Sequence, residues 1–299
     1  MSGTMEARGI LELIDLTLLD RSASEEDLAS LCRVANEQGT AAVCVFPEHA
    51  QSVRDHLEEG VSLAVVAGGF PEGSESPEYI SLAIAEAVSS GADEIDCVLE
   101  PRDTGDFPGQ EELAKLIAMR EASSGLVLKV IVESPMMGER QLRAVARMVL
   151  STGADFVKTG TGKRGPCSDE HAEILADEVS RHCISFEGSP GIKLSGGISR
   201  RGDAERLLGL VMSRDESISG AGRLRIGASS LVDDIVSGGL GYIGQLVAKA
   251  MIQHGARRLV LLSSSRDVLP NEWDLDVRPA VERCDVGVEA DVVDLLERV

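Results

Sequence analysis

The sequence predicts an α/β protein, a (β/α)8 TIM barrel followed by a C-terminal partial Rossmann-like extension. Three observations predict the barrel. Residues 1–235 alternate short strand-like and longer helix-like segments. The strand-like segments are apolar and rich in Val, Ile and Leu, as strands covered on both faces are. Eight strand–helix units fit into about 235 residues, close to the ~250 of a typical barrel. An eight-stranded doubly wound sheet is the runner-up, because alternation alone does not separate a closed sheet from an open one.

The pattern predicts strands over Leu11–Leu16, Ala41–Phe46, Ser62–Val66, Glu94–Leu99, Leu126–Val132, Asp155–Lys158, Gly191–Leu194 and Arg223–Gly227. Amphipathic stretches between them include Glu25–Glu37, Pro77–Ser90, Glu111–Ala122, Glu139–Thr152 and Arg201–Arg214. Pro77 and the acidic residues near these starts are first-turn signals, and Gly39, Gly91 and Gly153 are helix stops.

Composition narrows the function. The chain has 299 residues, 43% of them apolar, with 29 Lys and Arg against 50 Asp and Glu and a formal charge of −21. Such a field repels phosphate backbones, so neither nucleic acid nor an anionic membrane is expected as a partner. An anionic substrate must then be met by local cations and backbone dipoles. Cys32, Cys44, Cys97, Cys167, Cys183 and Cys284 form no C-x-x-C pair, which predicts free thiols in a reducing compartment, with no zinc site and no disulfide frame. No apolar run approaches the ~20 residues of a membrane span and the N-terminus has no signal-like segment, so a soluble, cytoplasmic protein is expected.

The chemistry concentrates in GADFVKTGTGKRG, residues 153–165. Lys158 stands where an apolar strand runs out, and desolvation there disfavours its charged form. A neutral lysine amine is a nucleophile able to form a Schiff base with a carbonyl. Thr161, Gly162 and Lys163 follow, offering backbone N–H groups, a hydroxyl and a cation suited to phosphate. The bland alternative is a lysine snorkelling from a strand end. In the barrel reading, residues just past each strand gather on one face, which would unite Asp15, Cys44, Asp96, Lys129, Lys158, Lys193 and Ser229. Gly196 and Gly197 after the seventh strand, and Ser229 and Ser230 after the eighth, extend the phosphate site, although glycines also serve tight turns.

With these residues in place, the chain from about 10 to 235 resembles class I deoxyribose-phosphate aldolases. The resemblance is carried by LIDLTLL (13–19), TAAVCVFP (40–47), GFPEGS (69–74), GADEIDCV (91–98), LKVIVES (128–134), GADFVKTGTGK (153–163), GIKLSGGI (191–198) and RIGASSL (225–231). It implies a lyase of deoxyribonucleotide catabolism that splits 2-deoxy-D-ribose 5-phosphate into acetaldehyde and D-glyceraldehyde 3-phosphate with no metal and no cofactor. Lys158 matches the Schiff-base lysine, Lys193 the second lysine that lowers its pKa, and Asp96 the carboxylate that handles protons with a water. A structural Asp–Lys pair is equally compatible with Asp96. Asp15, Thr17 and Cys44 match pocket-lining positions, Cys44 being as readily a packed thiol. Lys129 matches a strand-end lysine in a supporting electrostatic role. Thr161, Gly162, Lys163, Gly196, Gly197, Ser229 and Ser230 match the phosphate-binding set. A homodimer is the expected assembly for such barrels, with no interface patch assignable.

Some positions depart from the pattern. Gly160 stands where a serine is usual, Gly69 where an asparagine is common, and Pro135-Met136-Met137 replaces a small polar residue and acidic turn. A related imine-forming aldolase with a different acceptor aldehyde is therefore one alternative; a non-catalytic fusion or truncated product is the other. Such aldolases commonly end in a tail whose C-terminal tyrosine assists proton transfer. This sequence ends in Val299, with tyrosines at 79 and 242, so slower exchange of the donor methyl protons is expected.

Two domains are expected, an aldolase barrel over 1–236 and a tail over 237–299. The tail resembles the opening of a short-chain-dehydrogenase-type ketoreductase domain. Gly239, Gly241 and Gly244 form its dinucleotide fingerprint, Leu259–Leu262 its second strand, and Cys284-Asp285-Val286 its adenine-side segment. Residues 231–236 could serve as a Rossmann strand or as the last barrel helix, and their apolar spacing favours the helix. The sequence stops before the catalytic Ser, Tyr and Lys of such reductases, so the tail is expected to be catalytically silent and weakly packed.

Overall fold

The computed structural model describes residues 7–101, 107–237, 260–263 and 280–283. Eight parallel strands close in sequence order: β1 (Ile14–Leu18), β2 (Ala42–Val45), β3 (Ser62–Ala67), β4 (Glu94–Val98), β5 (Val127–Ile131), β6 (Phe156–Lys158), β7 (Gly191–Ser195) and β8 (Leu224–Ala228). β1 pairs with β8 through Ile14–Ile226, Asp15–Gly227 and Leu16–Ala228, a closure that an open sheet lacks.

The connecting helices are α1 (Ala7–Leu11), α2 (Glu25–Gln38), α3 (Ala50–His56), α4 (Pro77–Ser89), α5 (Gln110–Ala122), α6 (Glu139–Ser151), α7 (Asp169–Ser185) and α8 (Arg201–Arg214). Local chemistry sets their ends. The Ser24 hydroxyl accepts the Asp27 N–H at 3.2 Å and the Asp27 carboxylate accepts the Ser24 N–H at 2.9 Å, a reciprocal cap that starts α2. Gly39, at φ 64°, stops it by donating its N–H to the Ala35 carbonyl.

The first strand begins later than the sequence predicts. Leu11 closes α1, and the Leu13 N–H bonds back to the Ile10 carbonyl, so the extended chain starts at Ile14. Leu11, Leu13, Ile14, Leu16 and Leu18 recur so closely across this stretch that spacing alone does not mark the boundary.

Strand side chains alternate between two environments. Ile95, Cys97, Leu128, Val130, Val157, Ile192 and Leu194 pack outward and are buried. Inward positions differ around the barrel: Ala42, Cys44, Ala64 and Val66 join Phe46, Phe70, Val98 and Ile131 in an apolar cluster. The remaining interior is charged. Outside, Glu178 on α7 is buried and accepts bonds from Arg143 at 3.0 Å and Arg147 at 2.6 Å, stapling α6 to α7.

The chain divides into two compact units, Met1–Ser229 and Ser230–Val299. In the second, residues 231–237 form α9 (Leu231–Ser237), as their spacing predicts, with Leu231, Val232 and Ile235 buried. β9 (Val260–Ser263) and β10 (Ala280–Arg283) pair in parallel. The glycine fingerprint, Tyr242, the Cys284–Val286 segment and the expectation of weak tail packing lie outside the described residues.

Two glycines test the barrel's tolerances. A Cβ on Gly191 would lie 2.3 Å from the Arg223 carbonyl oxygen, whereas one on Gly209, at an exposed position of α8, meets nothing within 4 Å. In urea unfolding, Gly191→Ala is expected to lower stability by about 1–3 kcal/mol through overpacking. Gly209→Ala is expected to raise it by roughly 0.5–1 kcal/mol through helix propensity.

Candidate active site

Parallel register aligns the polar residues. Lys158 lies opposite Lys193, Lys193 opposite Arg225, Asp96 opposite Lys129, and Asp15 opposite Gly227. Their side chains meet in the barrel. The Asp96 Oδ2 accepts from both Lys158 Nζ and Lys193 Nζ at 2.7 Å. Lys193 also reaches Asp15 Oδ2 at 2.5 Å, and Lys129 reaches Asp96 Oδ1 at 3.0 Å and Asp15 Oδ2 at 3.1 Å. Lys129 further pairs with Glu94. Arg225 closes the ring, contacting Asp15 Oδ1 at 2.7 Å and Glu94 Oε1 at 3.0 Å.

Gly227 makes this packing possible. A Cβ there would stand 3.1 Å from Lys193 Cε, so a glycine clears the path of the lysine stem.

All seven groups are nearly inaccessible to solvent. Burial would raise the carboxyl of Asp96, but Lys129, Lys158 and Lys193 outweigh it and hold Asp96 well below the usual carboxylate range. Asp15 is depressed in the same way by Lys129, Lys193 and Arg225. Burial would lower Lys129 and Lys193, but their carboxylates prevail and both are raised. Lys158 alone among the three lysines is lowered: burial and the Lys193 charge together outweigh Asp96. It is the amine most readily found neutral. Cys44 lies beside it, its thiol pushed up by burial and by Asp96, so it acts as a small apolar wall.

The structure relocates several predicted residues. Asp15, Cys44, Asp96, Lys129 and Lys193 project into the barrel from within strands and do not follow their ends. Lys129 in particular is a mid-strand charge holding three carboxylates. Lys158 does end its strand. Thr17 lies above Asp15 on the same face, its hydroxyl donating to the Asp15 carbonyl at 2.9 Å.

The loop after Lys158 is less open than its composition implies. The Thr161 N–H donates to Glu133 Oε1 at 2.8 Å, and the Lys163 N–H to the Thr161 hydroxyl at 3.2 Å, so neither amide is unencumbered. Glu133 is buried and has φ 53°, the one positive value for a non-glycine among the described residues. Gly162 and Lys163 are exposed, and Gly196 and Gly197 lie in the left-handed region at φ 109° and 72°. Ser229 is exposed after β8, and Ser230, also exposed, begins the second unit.

Sequence reasoning missed Glu94, Arg225 and Glu133. A signal existed for the first two: Glu94 and Asp96, and Arg225 and Gly227, stand two apart within strands and therefore share a face. Nothing local marks Glu133 as the partner of an amide 28 positions away.

Comparison with known proteins agrees with this geometry. A model described as the DeoC/LacD family aldolase matches residues 10–254, and one described as a KR domain matches residues 233–299. The deoxyribose-phosphate aldolase of Corynebacterium jeikeium is 37% identical over 243 residues, covering 75% of this chain and 94% of that protein. That of Deinococcus radiodurans is 34% identical over 230 residues, covering 76% and 94%. The tetrameric deoxyribose phosphate aldolase of Aeropyrum pernix superposes with a TM-score of 0.63 at 28% identity, covering 76% of this chain and 89% of that one.

A pH dependence follows from the lowered Lys158. Attack needs the free amine, whose fraction grows as pH rises through the lysine pKa. Covalent trapping at Lys158 should therefore rise at a pH below the ordinary lysine value of 10.5. Lys193→Met removes a neighbouring cation and should move that rise to higher pH. Trapping rates measured across pH in both proteins check the sign.

Proposed function

The chain belongs to the DeoC/LacD family of aldolases, and from that premise we propose that it is a class I lyase reversibly cleaving 2-deoxy-D-ribose 5-phosphate. Its products would be acetaldehyde and D-glyceraldehyde 3-phosphate. The observation that carries this reading is one buried lysine, Lys158, lowered in pKa beside a carboxylate and a second, charged lysine.

Lys158 Nζ attacks C1 of the open-chain sugar, and the carbinolamine loses water to give an iminium. Loss of the C3 hydroxyl proton then breaks the C2–C3 bond, whose electron pair enters the iminium as an enamine. Glyceraldehyde phosphate departs, C2 takes up a proton, and water hydrolyses the imine to release acetaldehyde. Because Asp96 is so weakly basic, it serves best by orienting a water and compensating the iminium charge, with Lys193 as its fixed partner. The apolar wall of Cys44, Ala64, Val66, Val98 and Ile131 suits the two-carbon donor.

Thr161, through its hydroxyl, with Gly162, Lys163, Gly196, Gly197 and Ser229, is the proposed phosphate set. The activity is assigned to residues 1–236, and residues 237–299 take no step in it. A homodimer and a reducing, cytoplasmic setting complete the reading; the five described cysteines are free thiols in keeping with the latter.

Acetaldehyde with borohydride should label Lys158, read by mass mapping; modification confined to other residues would remove the basis of the proposal. Lys163→Ala should raise KM for the phosphorylated sugar roughly tenfold, the loss of one charge-assisted contact. Turnover of unphosphorylated deoxyribose should be unchanged, and an equal loss on both sugars would place the phosphate elsewhere.

A further inference from the structure

The barrel interior holds two charged groups that the reaction above does not use, Glu94 and Arg225. Both are buried, and each bridges groups that it does not resemble. Arg225 uses the two arms of its guanidinium to join Asp15 to Glu94, and Glu94 passes the contact on to Lys129. Neither reaches Lys158 directly. Lys158 is faced by Asp96 from β4, Lys193 from β7 and Cys44 from β2, while β3 presents only Ala64 and Val66. Asp15 from β1, Glu94 from β4, Lys129 from β5 and Arg225 from β8 stand behind this ring.

The carboxylates of this cluster are Asp15, Glu94 and Asp96. Its permanent cations are Lys129, Lys193 and Arg225, with Lys158 as the fourth basic group. We propose that Arg225 and Glu94 are positioning residues for the imine chemistry, completing a buried set of three fixed cations and three anions that is neutral only when Lys158 is the free amine.

In a medium of low dielectric, an unbalanced buried charge is expensive and its field is felt beyond contact distance. A protonated Lys158 would make the set cationic. The balanced set therefore favours a neutral amine at rest. Removing Arg225 leaves an excess anion, which favours protonated Lys158; removing the Glu94 charge leaves an excess cation, which opposes it. The two substitutions must act with opposite sign.

This inference rests on the proposed imine mechanism, and the test separates the two. The pH dependence of borohydride trapping of acetaldehyde at Lys158 is measured in the full chain and four variants. Arg225→Met should move the rising limb up by about one pH unit, and Glu94→Gln should move it down by a similar amount. The double variant, again balanced, should return near the unsubstituted profile. Arg225→Lys should keep the profile, because it keeps the charge, even where loss of the fork slows turnover. Profiles unmoved in the folded single variants, or moved in the same direction by both, would overturn the inference while leaving the imine reading intact. Absence of trapping at Lys158 in the unsubstituted protein would overturn both. Should Arg225→Met fail to fold, Glu94→Gln and the double variant carry the sign test: a downward shift restored by the second substitution supports it, and any other pattern rejects it.

Discussion

The need to balance charge inside a closed barrel governs the rest of the structure. Seven ionisable side chains are removed from water there, and isolated ions in such surroundings would cost many kcal/mol. They are tolerated because each carboxylate touches two or more cations: Asp96 meets Lys129, Lys158 and Lys193, and Asp15 meets Lys129, Lys193 and Arg225. The constraint divides the interior. Charged residues occupy β1 and β4 to β8, while β2 and β3 contribute small apolar side chains. Lys158 sits at that border, with an ionic network on one side and an apolar wall on the other.

The same balance bears on the direction of the chemistry. In the proposed imine reaction, the free amine and the enamine leave the network neutral, whereas the iminium adds a positive charge. Asp96, in contact with Lys158, makes that cation attainable, but no spare anion removes the incentive to discharge it. Conversion of iminium to enamine, the step that breaks the carbon–carbon bond, relieves the excess. A preorganised set of fixed charges thus acts without reorganising during the reaction. An Asp96 pulled far below the usual carboxylate range suits this role better than that of a strong base.

Much of the fold is legible in the sequence. The alternation of apolar segments locates all eight strands, and the position of Lys158 at the end of one of them points to the proposed nucleophile. The boundary errors have a common source. Apolar residues recur at 11, 13, 14, 16 and 18 with no punctuation between them, and only the backbone bonds around Leu13 separate α1 from β1. Glu94 and Arg225 escaped notice because scanning for apolar strands treats a buried charge as noise; their meaning lies in partners from other strands. The crowding of the Thr161 amide was invisible for the same reason, since Glu133 arrives from the preceding loop.

The loops at the mouth are tied to the charged interior by a short polar bridge. The Ser195 N–H donates to the Thr159 hydroxyl at 2.8 Å, that hydroxyl donates to the Ser195 carbonyl at 2.8 Å, and the Ser195 hydroxyl donates to the Gly160 carbonyl at 2.5 Å. Thr159 and Ser195 follow Lys158 and Lys193 by one and two positions, so the loop bearing Gly162 and Lys163 is locked to the loop bearing Gly196 and Gly197 directly above the two lysines. Glu133 braces the same loop from the other side. An anion held by these loops is therefore held at a fixed reach from the Lys158 amine. A phosphate site built this way would select by length: the span between a phosphate and a carbonyl carbon must match a distance set by buried hydrogen bonds between the two loops.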